Sequence, residues 1–124
     1  MIYVVRHGQT DWNIEKRYAG RVNVPLNETG VSEAYELAVK LQKINFDVVF
    51  SSPLSRAYQT AKIISSNSNI LIDDRLIERS NGDLEGKLKA GVGIYIRCYF
   101  EGEVLDGDYS KYKMKNCEIL KYYN

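Results

Sequence analysis

Histidine is almost missing from this chain: it occurs once in 124 residues, at position 7. Any step that needs an imidazole must use His7. A surplus of charge is missing as well. The chain has 17 Lys plus Arg against 16 Asp plus Glu, a formal net charge of +1, which excludes a general field for nucleic acid or an anionic membrane. Any positive site must be local. No apolar stretch is long enough to span a bilayer, and the opening Met1 to Arg6 carries neither a basic leader nor a cleavage pattern. A cytoplasmic address, with no membrane and no nucleic-acid partner, is the expectation. The two cysteines, Cys98 and Cys117, fit neither a zinc spacing nor a Cys-x-x-Cys redox pair, so reduced, mostly buried thiols are expected. There are no internal repeats. A composition of 44% hydrophobic and 27% charged residues fits one compact domain, 1–124, around a single core.

Ile2 to Val5 is an apolar, β-branched run ended by charge and glycine, and it predicts a first strand buried on both faces. Gly8 to Thr29 reads as a long polar loop, of the kind that is usually functional or disordered. Val31, Ala34, Leu37, Ala38, Leu41 and Ile44 recur at helical spacing, with Asn27 or Thr29 available as the cap. Asp47 to Phe50 predicts a second strand. A helix should follow from Ser52 as cap and Pro53 as first helical residue, burying Leu54, Ala57, Ala61 and Ile64. Ile70 to Ile72 predicts a third strand. After Gly86 the alternation Ile94, Ile96, Cys98, Phe100 favours a strand without excluding a helix, and 116–124 reads as a last edge strand.

Strands alternating with helices point to an α/β fold with a parallel sheet. Parallel strands end on one edge, and ligands of open α/β sheets bind outside those carboxyl ends. Arg6-His7-Gly8, Ser51-Ser52 with the helix bearing Arg56, and Asp73-Asp74-Arg75 leading to Glu78 should therefore share one rim. Two guanidinium groups and a helix start suit an anionic phosphate.

Arg6-His7-Gly8-Gln9-Thr10-Asp11-Trp12-Asn13 resembles the opening motif of the histidine phosphatase superfamily, which includes the phosphoglycerate mutases. Three further stretches match in order: Pro25 to Gly30, Ser51 to Ala61, and Leu76 to Arg79 with Gly82 to Gly86. The resemblance implies a three-layer αβα fold with a mostly parallel sheet, phosphoglycerate mutase-like but truncated. It implies phosphatase or mutase chemistry through a phosphohistidine on a phosphorylated small molecule, with neither metal nor cofactor. By the same resemblance His7 accepts the phosphoryl group, Arg6 and Arg56 grip it, and Glu78 protonates the leaving oxygen. To act as an acid near neutral pH, Glu78 would have to stay protonated, through burial against like charge, or be protonated by the substrate. Thr10 and Asn13 lie among the substrate-binding residues. Arg17 and Arg21 either draw in an anionic substrate or are ordinary surface charge.

The family pattern includes a second active-site histidine on a later strand, and this chain has none. Residues 1–86 match the family's N-terminal part and 90–124 resemble its C-terminal part, so the chain reads as an internal deletion, with Lys89 or Ala90 near the histidine's place. The alternative to an enzyme is then a catalytically impaired phosphate-binding relative. Lys89 offers a replacement charge. Removing a central strand leaves its neighbours' backbone groups to be paired by a rearranged sheet, by residues 92–100 or by a partner chain, and the last of these makes a homodimer an expected option.

Overall fold

A computed structural model of the chain describes residues 1–65, 69–88 and 116–122. The elements run β1 (Ile2–Val5), α1 (Asp11–Ile14), α2 (Glu28–Leu41), β2 (Val49–Ser51), α3 (Ser55–Ile64), β3 (Ile70–Ile72), two short 3-10 turns (Asp74–Leu76 and Gly82–Leu84) and β4 (Ile119–Tyr122). The predicted strand at 94–100, Cys98 and Lys89 lie outside the described residues.

β2 and β3 pair in parallel, Val49 opposite Ile70 and Ser51 opposite Ile72, with α3 crossing between them. β1 pairs antiparallel with β4, from Ile2 opposite Tyr122 to Val5 opposite Ile119, so the predicted last edge strand forms and closes on the first. The fold is α/β. Among the described residues the two ladders are separate two-stranded sheets, rather than one continuous parallel sheet through the first three strands.

β1 is not buried on both faces. Ile2 and Val4 are exposed while Tyr3 and Val5 are half-buried, the alternation of a strand covered on one side. Tyr3 meets Phe46 edge to face at 5.6 Å.

α2 begins where its cap predicts: the Asn27 Oδ1 accepts the Gly30 N–H at 2.8 Å. It buries Ala34, Leu37 and Leu41 along one stripe, and Ile44 falls beyond its end. α3 starts later than predicted. Its cap position is Leu54, whose side chain has no acceptor. Asn23 takes over, its Oδ1 accepting the Ser55 N–H at 2.8 Å and the Ser55 hydroxyl at 2.6 Å, while the Ser52 hydroxyl accepts from Leu54 N at 3.3 Å.

The long connection between β1 and α2 is structural as well as polar. It contains α1 and sends Tyr18, Val24 and Leu26 into the core beside Ala34, Leu37, Leu41 and Leu54. Its approach to α2 depends on two glycines. A Cβ at Gly8 would stand 2.4 Å from the Gly30 carbonyl oxygen, and one at Gly30 would stand 2.1 Å from the Gln9 oxygen. Only paired glycines allow the backbone after β1 to lie on the start of α2.

Candidate active site

Four of the residues expected on one rim come together, although β1 pairs with β4 and not with the parallel β2–β3 ladder. Arg6 follows β1, Arg56 lies in the first turn of α3, and Glu78 follows the turn after β3. Arg56 and Arg6 both act electrostatically on His7, and Glu78 acts on both arginines. His7, Arg6, Arg56 and Glu78 are thus brought together from three separate stretches of sequence.

His7 is held in one tautomer. Its Nδ1 lies 2.7 Å from the Gly8 carbonyl oxygen, and since a carbonyl can only accept, Nδ1 carries the proton and Nε2 keeps its lone pair. Burial pushes the imidazole down to about 4; the Gly8 bond opposes this, and the Arg56 and Arg6 cations add to it. At neutral pH the ring is therefore neutral and nucleophilic.

The backbone around His7 is pinned from both halves of the molecule. Gly8 N donates to the Thr60 hydroxyl at 3.0 Å, and that hydroxyl donates to the Arg56 carbonyl at 2.7 Å. Cys117 N donates to the carbonyls of Arg6 (3.1 Å) and His7 (3.3 Å), and Arg6 N donates to the Glu118 carbonyl at 3.2 Å. Gln9 N donates to the Glu33 carboxylate at 2.8 Å. Cys117 reaches its position with φ at 51°, uncommon for a residue with a Cβ. Burial pushes its thiol up to about 11, with Glu33 adding to the effect, so it stays protonated.

Arg56 is 3% exposed. Its Nη1 donates to the Val22 carbonyl at 2.9 Å and its Nη2 to the Gly20 carbonyl at 2.8 Å, so the long loop fixes its guanidinium. Burial lowers the pKa of Arg56, opposed first by Glu78. Arg6 is lowered for the same reason, opposed by Glu78, Glu118 and Glu33. The apolar stripe predicted for α3 is not its most buried face. Apart from the capping Leu54, its buried residues are Arg56 and Thr60, one turn apart and both turned toward the site.

Thr10 and Asn13 shape the loop after His7. Thr10 is wholly buried. Its hydroxyl accepts from Asn13 N at 3.3 Å, and Thr10 N donates to Asn13 Oδ1 at 2.9 Å. Together they form the capping box that starts α1. Asn116 Nδ2 donates to the same Asn13 Oδ1 at 3.1 Å.

Glu78 differs from expectation in its surroundings. It is exposed rather than buried, its Oε1 accepts from Arg79 N at 2.9 Å, and its charge acts on Arg6 and Arg56. Arg17 and Arg21 brace this segment. Arg17 Nη1 donates to the Gly86 carbonyl at 2.7 Å, Arg21 Nε to the Glu78 carbonyl at 3.0 Å, and Arg21 N to the Glu85 carboxylate at 3.0 Å. Backbone N–H groups of Arg21 and Asn81 hold the Glu85 carboxyl below its usual range.

Thr60, Glu33, Asn23 and the pair Asn116–Cys117 were not among the site residues expected from sequence. Spacing marks one of them: Thr60 lies four residues after Arg56, on the same helical face. The others act through contacts distant in sequence. Among the described residues no three His, Cys, Asp or Glu side chains form a group able to hold a metal ion, and no helix is long and apolar enough to cross a membrane.

Comparison with known proteins gives the same family. The profile described as histidine phosphatase superfamily (branch 1) matches residues 2–93. The uncharacterized phosphatase PhoE of Bacillus subtilis is 39% identical over 87 residues, covering 68% of this chain and 45% of that protein. The 2,3-bisphosphoglycerate-dependent phosphoglycerate mutase of Cytophaga hutchinsonii is 38% identical over 97 residues, covering 75% of this chain and 46% of that protein. A mycobacterial glucosyl-3-phosphoglycerate phosphatase, solved as a VO3 complex, superimposes with a TM-score of 0.69 at 35% identity, covering 72% of this chain and 45% of that one. The chain thus spans under half the length of these relatives.

Proposed function

This chain belongs to the histidine phosphatase superfamily, and from that premise we propose that it transfers a phosphoryl group from a phosphorylated small molecule to Nε2 of His7. The observation that carries the reading is a neutral, single-tautomer imidazole near two cations, the buried Arg56, held by two backbone carbonyls, and the half-buried Arg6. Nε2 attacks phosphorus while the bond to the leaving oxygen breaks. Arg6 and Arg56 spread the charge of the equatorial oxygens, and Arg56, already held by the loop, does so without having to move, the kind of preorganised electrostatics that is usually the largest catalytic term. Glu78 passes a proton, taken up from the bound phosphate monoester or from solvent, to the leaving oxygen. Water then attacks the phosphohistidine and releases phosphate, or a second substrate oxygen captures the group as in a mutase. Asn13, whose Oδ1 is used by Thr10 and Asn116, offers its Nδ2 donors to the phosphate. Thr10 contributes by shaping the loop.

Residues 1–124 form one domain on this reading, with the strand bearing the second histidine removed between the 1–86 and 90–124 portions. The pairing of β4 with β1 supports this. The test is incubation with an aryl phosphate, with phenol release followed in solution and an acid-labile adduct on His7 sought by intact mass. Turnover with an adduct is expected. Absence of both would overturn the enzyme reading. The lone histidine favours one second reading, a domain that holds phosphate without turnover. A thermal shift with inorganic phosphate and no adduct would select it.

A further inference from the structure

Two consecutive peptide units link His7 to the rest of the molecule, and the second ends on a carboxylate outside the chemistry described so far. The Gly8–Gln9 peptide presents its carbonyl oxygen to His7 Nδ1–H at 2.7 Å and its N–H to Glu33 Oε2 at 2.8 Å. Carboxylate, peptide and imidazole thus form one hydrogen-bonded line. Glu33 is half-buried, one turn into α2, and that helix start is locked against Gly8 and Gln9 by the Gly8–Gly30 contact. The preceding peptide, His7–Gly8, is pinned at its oxygen by Cys117 N and at its nitrogen by Thr60. Gly8 itself has no side chain to restrict it, so these bonds fix its conformation.

We propose that Glu33 is a positioning residue that acts on His7 through the Gly8–Gln9 peptide, orienting the Gly8 carbonyl and polarising it so that Nδ1 keeps its proton and Nε2 its lone pair. The physics is that of a carboxylate behind a catalytic imidazole, with one peptide group interposed. A carboxylate accepting from an amide N–H makes a charge-assisted bond, and hydrogen bonds in series polarise one another, so the carbonyl of that amide becomes a better acceptor. The inference rests on the reading of His7 as the phosphoryl acceptor. Its test is chosen to fail separately.

His7 is the chain's one histidine, so its ring nitrogens can be followed by nitrogen NMR without overlap and without turnover. Glu33→Ala removes the bond to Gln9 N, and Glu33→Gln keeps an acceptor while removing the charge. In the intact protein the Nδ1–H form is expected. Glu33→Ala should convert it to a mixture with the Nε2–H form, and Glu33→Gln should retain it. With an aryl phosphate, kcat should fall on the order of 10- to 100-fold in Glu33→Ala with KM within about twofold, and by less in Glu33→Gln. Because Glu33 also acts on Arg6, the ring spectrum and not the rate decides. A folded Glu33→Ala with an unchanged His7 tautomer overturns the proposal. If Glu33→Ala does not fold, Glu33→Gln decides instead: ring-nitrogen and Nδ1–H shifts identical to those of the intact protein overturn the proposal, and shifts that report a weaker Nδ1–H bond, or loss of that form, support it. A converted tautomer in a protein that never forms a phosphohistidine would uphold the relay and remove the enzyme reading.

Discussion

The loop from Arg6 to Asn13 and the segment from Glu78 to Gly86 border the same two arginines but are built in opposite ways. Around His7 successive peptides are pinned by groups from α2, α3 and the Asn116–Cys117 turn, and Thr10 and Asn13 close a cap at the loop's end. Around Glu78 the side chains are exposed, and the segment is tied down from outside by Arg17 and Arg21. On the proposed roles, the nucleophile and Arg56 are preorganised, and the proton donor sits on the wet side. The contrast matches the chemistry asked of each, because charge stabilisation gains most from dipoles that need not reorganise, whereas a proton donor must exchange with solvent between turnovers.

The comparison breaks most visibly at Arg56. Arg56→Ala removes a fixed cation and leaves the carbonyls of Gly20 and Val22 without their donors, so turnover of any phosphate ester should fall on the order of 100- to 1,000-fold. Glu78→Gln should depend on the leaving group. With an alkyl phosphate, whose leaving oxygen needs the proton, the loss is on the order of 100-fold; with an aryl phosphate it should be only a few-fold. Equal losses for both esters in Glu78→Gln would show that the glutamate binds rather than donates.

A second effect separates the two sides through pH. The His7 imidazole sits at about 4 in the folded chain and near 6.5 when unfolded. Between those values the unfolded chain holds a proton that the folded chain does not. Stability is therefore full above about pH 6.5 and falls as pH drops toward 4, by on the order of 3 kcal/mol. Urea unfolding at several pH values should show this loss, and His7→Gln should remove that part of the dependence. An identical pH dependence in His7→Gln would mean that the ring is not held neutral by its surroundings.

These differences also decide what could be read from sequence. The start of α2 was legible because its cap is local: Asn27 and Gly30 are three residues apart. The convergence of Arg6, His7, Arg56 and Glu78 was legible because each follows a short apolar strand, although β1 joins β4 rather than the parallel β2–β3 ladder. The polar face of α3 was not, since periodicity placed Leu54, Ala57, Ala61 and Ile64 inside. What buries Arg56 is a pair of carbonyls more than thirty residues earlier in the chain. Glu33 was invisible for the same reason, as its partner Gln9 lies across a loop. The surroundings of Glu78 were misjudged because burial is decided by neighbours that no local pattern reports.

The smallest expected effect tests how firmly the loop and α3 are joined. Leu54 cannot cap α3, and Asn23 supplies the acceptor from the loop for both the Ser55 N–H and the Ser55 hydroxyl. Asn23→Ala should cost about 1 kcal/mol, the usual worth of a helix cap, measured by chemical denaturation, with activity nearly unchanged. The bonds from Arg56 to Gly20 and Val22 already hold the same loop against the same helix turn. If Asn23→Ala costs nothing, those two bonds alone fix the start of α3, and the arginine that grips phosphate is also the clasp that holds its own helix in place. If it instead lowers activity as much as Arg56→Ala does, the guanidinium depends on Asn23 for its position, and the cap belongs to the preorganised side of the site.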